Sequence, residues 1–190
     1  MTKAIIVEGI DHIGKTTWIK ECLIPNLEKQ FGSQYDIIYY RDLVQLNTIK
    51  RVLPDEDVTF LDKKHYGILC GIINMLNAFS KRNVMFVFDR LHLSGAAYAK
   101  GLRNDDGPSE FNHWFEQELK KVTDPLLITF VLDKNQKPSD DDEVVNSTEL
   151  LKINQLFDQF AQESSLPKRT YQLKMSDGMS NIQEVNLSRN

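Results

Sequence analysis

Gly9-Ile10-Asp11-His12-Ile13-Gly14-Lys15-Thr16 carries glycine at its first and sixth positions and ends in lysine and a hydroxyl. That is the GxxxxGK[ST] spacing of a loop whose backbone N–H groups converge on phosphate oxygens. Glycine is required because the chain must adopt angles and approach an anion at distances that a side chain would block. Lys15 then supplies a point charge between phosphates, and the hydroxyl of Thr16 can complete a Mg²⁺ shell. A helix starting near Lys15 adds the partial positive charge of its N-terminus. The residues expected to hold a nucleotide are therefore Gly9, Ile13, Gly14, Lys15, Thr16 and Thr17.

Such a loop names a ligand and leaves the reaction open, since hydrolases and kinases share it. A second segment narrows the choice. Phe86-Val87-Phe88-Asp89-Arg90 ends an apolar run with an acid followed by arginine. A water-activating site more commonly has a carboxylate or glutamine there, whereas an arginine can fork two donors onto a second phosphate. Asp89 can act near the metal or on its waters.

These residues need a scaffold, and the hydrophobic pattern supplies one. Ala4–Glu8, Tyr35–Tyr40, Val84–Asp89, Leu126–Asp133 and Thr170–Met175 are short runs, mostly continuous in apolar residues, as in strands covered on both faces. Helical periodicity marks Lys15–Ile24, Phe60–Ser80, Glu110–Val122 and Thr148–Gln162, with a kink or stop expected at Pro25 and a short closing helix over Asn181–Leu187. Alternating strands and helices predict an α/β fold, a three-layer α/β/α sandwich around a five-stranded parallel sheet, with residues 1–190 as a single domain. Lys134–Ser147, with Pro138 and the acidic run Asp140–Glu143, reads as a solvated excursion.

Two blocks resemble thymidylate kinases. Glu8-Gly9-Ile10-Asp11-His12-Ile13-Gly14-Lys15-Thr16-Thr17 is similar to that family's EGxDxxGKTT, and Asp89-Arg90-Leu91-His92-Leu93-Ser94-Gly95-Ala96-Ala97-Tyr98 to its DRYxxSGxAY. Weaker correspondence runs through most of the chain, including Leu126–Asp133 and Ser176-Asp177. The resemblance implies a P-loop nucleoside monophosphate kinase using ATP and Mg²⁺, with a lid at 134–148. It implies that Asp11 faces the acceptor nucleotide and that Arg90 holds the acceptor phosphate with help from Arg41. It also implies that Tyr98 packs on the sugar against a wall shaped by Ser94 and Gly95. The catalytic set it implies is Asp11, His12, Lys15 and Arg90.

The chain departs from the family in three places. The helix before the Asp-Arg strand offers Tyr66 or His65 as a ring to stack on the base, but lacks the arginine four residues later, so the acceptor base is open among pyrimidines and modified pyrimidines. His12 stands where one branch of the family has a basic residue, and can reach the transferring phosphate only when protonated. The lid segment contains no arginine, leaving Lys134, Lys137, Lys100 or Arg103 as substitutes. Two other functions therefore stand beside a monophosphate kinase: a same-fold kinase acting on a hydroxyl of a deoxynucleoside or of a hydroxymethylated base in DNA, and a nucleotide sensor with weak chemistry.

Composition limits the partners. A net charge of −4 gives no general attraction to nucleic acid or anionic lipid. No apolar run reaches the roughly 20 residues that span a bilayer, and no leader-like segment precedes the first strand, so a cytoplasmic protein is expected. Cys22 and Cys70 read as reduced core residues. Phe111, Trp114, Phe115 and Leu119 form a helical stripe that serves the core or, as in the resembled family, a homodimer face.

Overall fold

A computed structural model describes residues 2–11, 13–41, 58–132, 145–176 and 179–185, with side chains omitted at 58–62 and 172–185. The strands are β1 (Lys3–Glu8), β2 (Asp36–Arg41), β3 (Val84–Asp89), β4 (Asp124–Leu132), β5 (Lys168–Ser176) and β6 (Met179–Val185). They form one sheet in the order β2-β3-β1-β4-β5-β6. The first five strands of that order are parallel, and β6 pairs antiparallel to β5. The five-stranded parallel α/β sheet expected from the sequence is thus present, with a sixth strand on its edge.

The helices are α1 (Lys15–Trp18), α2 (Ile24–Phe31), α3 (Val58–Phe79), α4 (His92–Arg103), α5 (Gly107–Val122) and α6 (Ser147–Glu163). From β1 the chain crosses to β2 in one direction; the later crossovers run in the opposite direction. Right-handed connections therefore place α1 and α2 on one face of the sheet and α3 to α6 on the other. The two faces part company at β1 and β3, and the loops leaving the carboxyl ends of these neighbours open a crevice there. Strand registers bring Val7 and Arg41 level with Asp89 across that end.

The core is built from the apolar runs. Phe86, Phe88, Phe115, Phe130 and Phe157 are fully buried, and Trp18 of α1 meets Phe130 edge-on at 5.0 Å between ring centroids. Removing one such ring costs about 3–5 kcal/mol. Asn146 caps α6, accepting from the Glu149 N–H at 3.0 Å while the Glu149 carboxylate accepts from the Asn146 N–H.

Three expectations need correction. Asn181–Val185 is strand, not helix: it belongs to β6, which pairs antiparallel with β5 and covers its edge, and the two residues between the strands, Asp177-Gly178, are a pair favoured in hairpins. Leu187 lies outside the described residues. The first helical segment does not end at Pro25; it passes through a π-helical turn over Ile19–Leu23 and continues as α2 with Pro25 in its first turn, where a missing N–H costs little. Neither cysteine is a core residue. Cys22 is exposed and Cys70 half-buried, and both are free thiols.

Candidate phosphate-transfer site

The loop after β1 has the backbone that its glycines foretell. Gly9 has φ 140° and Gly14 φ 79°. A Cβ on Gly9 would sit 2.5 Å from the Phe130 carbonyl oxygen, so only glycine fits against β4. Ile13 is buried and anchors the loop, while Thr17 is exposed. Lys15 is buried and its Nζ donates to the Ile10 carbonyl, folding back across the loop mouth. His12, expected to be catalytic, lies outside the described residues, as does 134–144 of the expected lid.

Asp89 ends β3 beside this loop, 2% exposed. Its Oδ2 accepts from Thr16 Oγ1 at 2.6 Å and from the Tyr39 hydroxyl at 3.0 Å. Burial, followed by the Asp89 charge and hydrogen bond, raises the Tyr39 pKa far above the ordinary tyrosine value, so Tyr39 remains a donor. Mg²⁺ favours hard oxygen ligands, usually one or two from protein with phosphate and water completing the shell. A hydroxyl and a carboxylate side by side at the loop fit that requirement. Among the described residues there is no cluster of three or more His, Cys, Asp or Glu that would form an all-protein metal cage.

The second half of the site is made of side chains. Asp11, from within the loop, pairs through Oδ1 with the Arg90 guanidinium. Its Oδ2 accepts from the Tyr98 hydroxyl at 2.5 Å, and its own N–H donates to the Tyr98 oxygen at 3.1 Å. The Arg90 guanidinium carbon stands 5.6 Å from the centroid of the Tyr98 ring. Arg90 has φ 74°, a left-handed backbone that costs a non-glycine residue about 1–2 kcal/mol and turns it away from the strand. Arg41 is exposed at the end of β2, level with Asp89.

Glu8 holds this turn in place, a role with no precedent in the sequence reading. Fully buried, it accepts from the N–H groups of Leu91 at 2.9 Å and Leu93 at 3.0 Å, and from Ser94 Oγ at 2.5 Å. The first residue before the phosphate loop thus caps α4, the helix that carries Tyr98. Ser94, expected on the acceptor wall, is committed to Glu8. Gly95 leaves room for His65 of α3, since a Cβ there would lie 2.2 Å from the ring. His65 is 3% exposed, and neither ring nitrogen has a hydrogen-bond partner. Burial, with His92 and Arg103 nearby, lowers its pKa to about 4.

Several other candidates have partners within the fold. Tyr66 turns to α5, with its ring 4.7 Å from Phe111 and 5.2 Å from Trp114. Phe115 and Leu119 are core residues. His92 bonds Glu116 at 3.1 Å. Burial works to raise the Glu116 pKa, but donors from His92, Ser164 and Ser165 overcome it and hold the acid down at about 2. The lid substitutes Lys100 and Arg103 pair with Asp106 at 2.6 Å and Asp105 at 3.4 Å beyond the end of α4.

No family model matches the chain, and no curated protein matches it. Among solved structures, thymidylate kinase from Ehrlichia chaffeensis is similar over 93% of this chain and 89% of its own, with a TM-score of 0.52 and 18% identity. The likeness shows the fold, a parallel α/β sheet with its helices arranged as in that thymidylate kinase. No described helix is long and apolar enough to cross a membrane.

Proposed function

We propose that this chain is a cytoplasmic ATP-dependent nucleotide kinase that transfers the γ-phosphate to a deoxynucleoside monophosphate, dTMP or a related pyrimidine nucleotide. The observation that carries the reading is the Asp11–Arg90–Tyr98 cluster. A loop built to grip one set of phosphates also holds, through Asp11, the arginine suited to a second anion. Phosphoryl transfer asks a protein chiefly to position two anions and neutralise the charge between them.

In this reading Lys15 exchanges the Ile10 carbonyl for phosphate oxygens, and Arg90 exchanges Asp11 for the acceptor phosphate. Asp11 is thereby released to a sugar hydroxyl, and the Tyr98 ring excludes a 2′-hydroxyl. Mg²⁺, held by Thr16 and through its waters by Asp89, would neutralise charge across the phosphates. Of the two rings considered for the base, His65 is the one set against the helix carrying Tyr98.

ADP release measured with dTMP, dUMP, dCMP, dGMP and hydroxymethyl-dUMP tests the proposal. Release with a pyrimidine monophosphate is expected. Arg90→Ala should raise the KM for that acceptor at least tenfold and change ATP affinity little. Release without acceptor would make the chain an ATPase, and ATP binding without release would make it a sensor. Indifference to Arg90→Ala would point to a hydroxyl acceptor.

A further inference from the structure

Tyr39 sits in β2, two strands from the phosphate loop, yet reaches the carboxylate beside it. Arg41 pairs in register with Asp89, so Tyr39 is the diagonal neighbour of Asp89 on one face of the sheet, within reach of a long side chain. Its ring runs along the strand and delivers the hydroxyl to Asp89 Oδ2 at 3.0 Å. Thr16 Oγ1 meets the same oxygen at 2.6 Å.

The sharing has a geometric result. The Thr16 proton is spent on Asp89, so the lone pairs of that hydroxyl are the part left to face a cation. Both donors converge on Oδ2, and Oδ1 is the oxygen left to meet a cation or its water shell. With Thr16 alone, the carboxylate could pivot about its terminal bond, where the torsional wells are broad. A second donor, from another strand, fixes the rotation.

We propose that Tyr39 is a positioning residue for the divalent cation that accompanies the nucleotide, acting by locking Asp89 and Thr16 into a prearranged pair of oxygen ligands. The inference rests on the kinase reading above. Mg²⁺ demands near-ideal octahedral geometry, so the orientation of an outer partner carries into affinity, typically by 10–100-fold in metal sites.

Tyr39→Phe keeps the ring and deletes the hydroxyl. Binding of a fluorescent ATP analogue is measured in EDTA and across a Mg²⁺ titration, with Mn²⁺ affinity read by electron paramagnetic resonance. Tyr39→Phe should leave metal-free nucleotide affinity unchanged and raise the metal concentration for half-saturation about tenfold. In an Asp89→Asn background the same change should have no added effect. A purely packing role for Tyr39 would leave the metal dependence within twofold of wild type, or shift it equally in both backgrounds, and either result overturns the proposal. Should Tyr39→Phe fold poorly, the Asp89→Asn protein alone decides: unaltered metal dependence there overturns it too. A wild-type chain that binds no nucleotide with or without metal would overturn the kinase reading itself. Normal MgATP binding with an unshifted Tyr39→Phe removes only the role of Tyr39.

Discussion

The two halves of the site are constructed differently. In the proposed reading the donor half is one continuous stretch, Gly9 to Thr16, whose work is done by backbone geometry and two side chains at its end. The acceptor half is assembled from Asp11 in the loop, Arg90 after β3 and Tyr98 on α4, and is held by Glu8 from β1. A backbone-built site is a local property of the chain. A side-chain-built one exists only when several elements are in register, so its faults can be repaired or worsened from a distance.

That contrast can be broken first at its two cations. Lys15→Ala should lower turnover about 10³-fold with every acceptor, because it removes charge from the transferring group itself. The Arg90→Ala loss should appear with monophosphate acceptors only. Equal losses across acceptors in both variants would merge the halves into one.

Glu8 sharpens the comparison next. Glu8→Ala leaves two N–H groups and a hydroxyl unsatisfied in a fully buried place and should cost about 3 kcal/mol in urea unfolding. Glu8→Gln, which keeps an acceptor oxygen for the two N–H groups, should recover at least half of that. If the two variants are equally stable, Glu8 does not cap α4 in the way described.

Gly95→Ala drives a methyl into the His65 ring and should cost about 1–3 kcal/mol. His65→Ala in the same chain should return part of that loss, a coupling that a thermodynamic cycle measures. A further effect concerns pH. The folded pKa of His65, about 4, lies below its ordinary 6.5, so the unfolded chain binds the extra proton between these values. Stability therefore declines as pH falls from about 6.5 toward 4, by at most about 1.4 kcal/mol per pH unit from this group. His65→Leu should flatten that stretch of the urea-midpoint profile.

The sequence is legible where structure follows from neighbours along the chain. The Gly9–Thr16 loop, five of the six strands and the amphipathic helices α3, α5 and α6 all announce themselves by local spacing. Helix α4 does not, because it is buried on nearly every side and presents no polar face to set a 3.6-residue rhythm. Tyr39 reads as an ordinary strand residue, and Glu8 as the acid that ends a strand; their partners lie 50 and more than 80 residues away. Asp177-Gly178 is a pair favoured in two-residue hairpins and is the local signal that fits the pairing of β6 with β5.

The grip of Glu8 on Leu91, Leu93 and Ser94 also bears on how such a protein could move. Because the residue leading into one anion cradle is tied directly to the turn presenting the other, the two cradles travel together as a rigid frame. The gap a phosphoryl group must cross is then set by the fold before either reactant arrives. In the proposed reading, conformational change during turnover is left to the surrounding walls, and slow steps should respond to solvent viscosity.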